Sequence, residues 1–367
     1  MRKYLILHVL IISFVFFLIP TIQSASGLWM ESDSPEQKKE AIEAYKQAIR
    51  INPDDADAHF KLGIAYVNMD VLDVYEVGMN ISYIKSDLNK KTIEAFKQAI
   101  RLDPDNAKAH FYLGIAYRKS GRNTKEAVES FKQAIRLGPD NAKAHFYLGI
   151  ACVKLDMDVR VTSVDMKKKA IEAFKQAIRL DPDDADAHFY LGIAYRKSGM
   201  YKEAIESFKQ AIRIKPDDAL AHYNLGVAYY QSGMYKEEID SYKQVLRIDP
   251  DDADAHYYLG QAYGFLDMNK EEIEACKQAI RLDPDDADAH FKLGIAYGYI
   301  DMKKEEIESY KHAIRIDPNL ALAHYNLGFA YLFINDTGSA MEQSEILHSL
   351  DSELANKLSN RIFFNIH

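Results

Sequence analysis

"ADAHFYLGIAYRKSGMYKEAIESFKQAIRIKPDD", residues 185–218, contains the plan of the whole chain in one unit. Its apolar residues keep helical spacing twice, on either side of a break at Ser198-Gly199. In the first run His188, Leu191, Gly192 and Tyr195 share a face, and in the second Ala204, Phe208, Ala211 and Ile212 do. The pattern predicts two antiparallel helices, with Gly192 allowing them to approach closely and Gly199 permitting the turn. Pro216 ends the second helix, and the Asp pair that follows is placed to cap the next one, where a carboxylate accepts orphan N–H groups at the positive end of the helix dipole.

Read outward from this unit, Pro182, Pro216, Pro250, Pro284 and Pro318 recur at a fixed step of 34 residues, so the chain is a repeat array. Copies begin at Ala56, Ala107, Ala142, Ala185, Ala219, Ala253, Ala287 and Ala321. A lone second helix precedes them at about 36–51. The spacing of L-G-x-x-Y, then A-x-x-x-F, then P resembles the tetratricopeptide repeat family, with His standing where that family has Trp. The resemblance covers nearly everything from Pro35 to about Leu350. It implies an all-α fold, a right-handed superhelical solenoid of tetratricopeptide helix-turn-helix repeats.

The expected organisation is a half repeat at 35–55, an array of eight repeats at 56–351, and a C-terminal capping helix and tail at 352–367. Insertions near 67–88 and 155–166 fall between paired helices; self-packing as helix extensions is their expected fate, and an added partner-binding surface is the alternative. Closing helices are needed because each internal unit buries a face on its neighbour. Departures from the repeat fall at Cys152, which replaces the Tyr, at Cys276, which replaces the Phe, and at Thr92, Glu238, Glu272 and Glu306, which stand where the second helix otherwise offers Ala. Looser packing is expected of the Glu-bearing copies. The two cysteines sit in separate apolar stripes, and neither a disulfide nor a metal spacing is expected of them.

Residues 1–25 differ in kind. After "MRK", the stretch Tyr4–Pro20 contains no Lys, Arg, Asp or Glu, and small residues follow around Ser24–Ser26. This composition suits an export signal cut near Ala25 or Ser26, giving a periplasmic or secreted protein. An uncleaved anchor at 4–20 is the alternative. That segment is the only expected link to a membrane.

Composition narrows the function classes. An apolar content of 48% supplies a core, and a net charge of -9 argues against nucleic acid, which requires a basic face. The carboxylates of "DPDDADAH" look like a metal site, but the same words recur in most copies, and successive histidines lie a whole repeat apart. The sequence contains no phosphate-binding glycine loop and no nucleophile elbow. No catalytic residue, metal or cofactor is expected.

The resemblance implies instead a concave groove lined by the first helices. In the earlier copies the groove stripe contains Lys108, Tyr112, Arg118 and Lys119, then Lys143, Tyr147 and Lys154, then Tyr190, Arg196 and Lys197, a basic run with tyrosines in it. In later copies it contains Asn224 and Tyr230, then Tyr258 and Phe265, then Tyr299, and finally Asn326. The expected partner is a protein or peptide segment with an acidic part for the basic run and an apolar part for the aromatics. An architectural spacer with no groove ligand is the competing reading, and self-association through the ends or swapped repeats is a further expectation.

Overall fold

The structure, a computed structural model, describes residues 34–69, 80–121, 123–158 and 164–366. The expectations for residues 4–20 and for Val71, Leu72, Val74 and Tyr75 of the first insertion lie outside the described residues. Every regular element among the described residues is an α-helix, and the chain divides into two compact units after Pro139.

The first unit contains α1 (Pro35–Ile51), α2 (Ala56–Asn68), α3 (Ile81–Leu102), α4 (Ala107–Ser120) and α5 (Thr124–Leu137). A capping box starts α1: the Ser34 hydroxyl accepts the Gln37 N–H, while the Gln37 side chain accepts the N–H of Ser34. Residues of the first insertion extend α3 at its N-terminus. Ile84 is buried there, and Leu88 packs on the cluster of Ile42, Leu62, Ala65, Tyr66, Met69 and Ala95.

In the second unit the helices are α6 (Ala142–Asp158), α7 (Val164–Leu180), α8 (Ala185–Lys197), α9 (Tyr201–Ile214), α10 (Ala219–Gln231), α11 (Tyr235–Ile248), α12 (Ala253–Gly264), α13 (Asn269–Leu282), α14 (Ala287–Tyr299), α15 (Lys303–Ile316), α16 (Ala321–Phe333), α17 (Thr337–Leu350) and α18 (Ser352–Ile366). Within each unit, consecutive helices pack on one another.

One contact locks each pair. The glycine of the first helix faces the aromatic ring of the second: a Cβ on Gly192 would lie 2.7 Å from the Phe208 ring, and Gly63, Gly114, Gly149 and Gly294 meet Phe96, Phe131, Phe174 and Tyr310 in the same way. Gly260 meets the Cys276 sulfur instead. At the C-terminal end Leu358 of α18 reaches Gly328, so the closing helix supplies the group that a ring supplies elsewhere. Ile362 is buried in that cap, while Phe363 and Phe364 remain exposed.

The recurring Asp and His residues have structural partners. Asp184 caps α8 by accepting the Ala187 N–H at 3.0 Å, and Asp55, Asn106, Asp218, Asp252 and Asp286 act likewise. His188 Nε2 donates to the Pro182 carbonyl at 3.0 Å. His59, His110, His222, His256, His290 and His324 repeat this bond to the proline six residues earlier. The turn between paired helices takes a left-handed residue, which is Gly121, Gly199 or Gly233 in earlier copies and Asp267, Asp301 or Asn335 later.

Candidate partner-binding face

The sixth residue of several first helices is a tyrosine that lies in the joint with the preceding helix pair. Tyr112 stacks on Phe96 (ring centroids 5.9 Å apart) and meets Phe60 edge-on. Tyr190 stacks on Phe174 and Tyr258 on Tyr242 in the same manner. Tyr147 is half-buried beside Phe146. Asn224 is buried, and its amide donates to the Leu220 carbonyl at 2.9 Å. The Asn326 amide donates to the Tyr310 hydroxyl at 3.4 Å. Tyr112, Tyr190 and Tyr258 are thus spent largely on packing one repeat against the one before it.

The basic residues divide between surface and interior. Lys108 and Lys143 are exposed. Lys119 is exposed too, and its ammonium donates to the Val67 carbonyl at 3.3 Å. Arg118 and Lys154 are half-buried, as is Lys197, whose own carbonyl accepts from Lys167. Arg196 is also half-buried: burial holds its guanidinium below the ordinary range, beside Tyr223, Tyr242 and Tyr201, and its Nε finds no acceptor.

Toward the C-terminus the exposed face becomes aromatic. Phe265, Tyr299 and Phe333 occupy one register position in three consecutive first helices and are 44%, 68% and 63% exposed. Tyr230 and Phe265 are brought together, with centroids 5.7 Å apart, and Tyr235 stacks on Phe265 at 4.5 Å. Tyr235 was not among the expected groove residues because it opens a second helix rather than lying on a first one. Its signal was a step of 30 residues to Phe265, which the repeat geometry turns into contact.

Two of the three glutamates at the Ala position have room made for them, while Glu238 has Tyr230 at the corresponding place on the first helix. The Glu272 carboxylate lies over Gly264, and that of Glu306 over Gly298, 2.7 and 2.9 Å from where a Cβ would be. Glycine on the first helix makes the room that glutamate on the second one fills. Burial pushes Glu238 up to about 8, and pushes Glu272 up to about 7 against the lowering charge of Lys292. Both oxygens of Glu238 and Oε2 of Glu272 are buried without a hydrogen-bond partner, whereas Glu306 pairs with Lys303 at 2.9 Å. Cys152 and Cys276 are both buried and form no disulfide, and burial holds the Cys276 thiol up at about 12. Among the described residues no three His, Cys, Asp or Glu side chains converge as a metal would require, and no helix is long and apolar enough to cross a membrane.

No curated protein matches the chain. Among solved structures, the C-terminal part of a TPR repeat-containing protein from Cytophaga hutchinsonii is similar at a TM-score of 0.55 and 17% identity, over 65% of this chain and 94% of that one. YrrB, described as a TPR protein with an unusual peptide-binding site, is 25% identical over 59% of this chain and 97% of that one, at a TM-score of 0.46. MamA protein is 30% identical over 47% of this chain and 88% of its own, at a TM-score of 0.41. The family model described as TPR repeat matches residues 37–70, 168–199, 192–233, 228–265, 273–298 and 306–332, and the one described as tetratricopeptide repeat matches 93–142 and 122–155. These matches together span more than half of the sequence, and with the helix pairs, the glycine–ring locks and the proline joints in register with them, the chain belongs to the tetratricopeptide repeat family.

Proposed function

We propose that this protein is a non-catalytic scaffold that holds a segment of another protein against the exposed face of its first helices. The observation that carries this reading is the repetition of exposed aromatic rings, Phe265, Tyr299 and Phe333, at one register position of three successive repeats. Large apolar groups aligned on a surface mark contact with a partner. The partner's apolar part lies on these rings and its acidic part on the lysines and arginines at 143–197. Residues 4–20 export the scaffold or anchor it to a membrane, a reading supported by their composition.

Photo-crosslinking tests this. A benzoylphenylalanine placed at Tyr299 in the full chain, expressed in its own host, is expected to trap a discrete protein that is not trapped from Glu274, an exposed position on α13. The same products from both positions, or none from Tyr299, would leave an architectural spacer as the better account.

A further inference from the structure

A complete cation site exists within the last repeats. The Lys303 ammonium at the start of α15 lies 2.9 Å from Glu306 Oε2 and 4.5 Å from the centroid of the Phe333 ring, while Gly298 leaves room for the carboxylate. Carboxylate and ring face are the two groups that recognise a cation most strongly in a desolvated setting.

One repeat earlier, 34 residues back, the corresponding residues are Asn269 for Lys303, Glu272 for Glu306, Tyr299 for Phe333 and Gly264 for Gly298. The anionic and aromatic parts are present, the carboxylate lies on its glycine in the same way, and the cation is missing. Glu272 is 2% exposed and its Oε2 has no hydrogen-bond partner. Lys292 is near enough for its charge to be felt, but among the described residues none forms an ion pair with Glu272. Two repeats back, where Glu238 corresponds, the ring of Phe265 is covered by Tyr235 stacked at 4.5 Å. Of three equivalent positions, one holds an internal lysine, one an internal tyrosine, and the middle one the uncharged Asn269.

We propose that Glu272 and the Tyr299 ring receive a lysine or arginine side chain of the bound partner, at the place that Lys303 occupies in the following repeat. A buried carboxylate with an unmatched oxygen gains most from an incoming cation, since removing one member of a buried pair is what makes the other costly. The exposed ring supplies the opposite wall. This assignment rests on the scaffold reading and adds to it: the segment that lies on the aromatic rings carries a basic residue in register with α13 and α14.

The test uses the full chain and fluorescein-labelled octalysine, followed by anisotropy at physiological salt and at a pH above the Glu272 value of about 7. Asn269→Lys supplies the missing internal cation and is expected to weaken octalysine binding about fivefold, roughly 1 kcal/mol. Asn319→Lys adds the same charge on an exposed loop and controls for general repulsion. Glu272→Gln is expected to weaken binding as Asn269→Lys does, and Asn269→Lys is also expected to raise the melting temperature by completing the pair with Glu272. Equal losses for Asn269→Lys and Asn319→Lys, or no binding of octalysine to the native chain, would overturn the proposal. A Tyr299 crosslink that persists beside such a result would keep the scaffold and remove only the cation. Loss of the crosslink with a site-specific octalysine response would do the reverse.

Discussion

Replacing Glu238 with glutamine should change how stability depends on pH, and the size of the change follows from where the carboxyl lies. Glu238 is 0% exposed, neither oxygen has a hydrogen-bond partner, and burial raises its pKa from 4.5 to about 8. Because the folded value lies above the unfolded one, the protonated side chain is the one the fold accommodates. Its contribution is fully present below about pH 4.5 and is lost as pH rises to 8, at about 1.4 kcal/mol per pH unit and about 5 kcal/mol in all. Glutamine does not titrate. It adds a buried amide whose cost, about 1–3 kcal/mol, is the same at every pH. Urea unfolding followed by circular dichroism, from pH 5 to 8.5, should therefore show Glu238→Gln less stable than the native chain in acid and more stable above pH 8. Glu272, raised to about 7, gives the native chain a second slope that both proteins share, so the difference between them isolates Glu238. A difference in midpoint that stays constant across this range would refute the reasoning, since it would mean that the carboxyl reaches water or a partner when ionised.

Other perturbations probe the repeat itself. Gly192→Ala puts a methyl group 2.7 Å from the buried Phe208 ring, and overpacking of about 1–3 kcal/mol should exceed the gain in helix propensity of about 1 kcal/mol, giving a lower urea midpoint. Asp184→Ala removes the acceptor for the Ala187 N–H and should cost about 1 kcal/mol by the same measurement, with Asp183→Ala, which lies outside the cap, nearly neutral. Cys276, held at about 12 and buried, should resist iodoacetamide in the native chain at pH 8 and react on denaturation, as read by intact mass.

The period, the helix pairs and their turns were legible because each rests on local chemistry: a proline that stops a helix, an Asp that starts one, a Gly that allows a ring to approach. Gly199 announced its left-handed turn, whereas Asp267, Asp301 and Asn335 hold the same conformation without announcing it, since Asp and Asn also serve elsewhere as caps and surface groups. The tyrosines at the joint position were harder to read. A tyrosine on the stripe beside the core looks the same in sequence whether it meets a ligand or, like Tyr112 on Phe96, the helix pair before it. The buried glutamates could have been read more fully. Gly264 accompanies Glu272 and Gly298 accompanies Glu306, each eight residues apart, while Arg196 accompanies Ala204; the exchange of bulk is written in these repeats, and Glu238, with Tyr230 eight residues before it, departs from it.

The bond from a repeat histidine to a proline carbonyl, as at His188 and His222, has a chemical corollary. A carbonyl can only accept, so Nε2 carries the proton of that bond. That nitrogen's proton is committed to the joint, so the ring fastens the start of one helix pair to the proline that ends the pair before it and keeps no Nε2 lone pair to offer a metal or a partner.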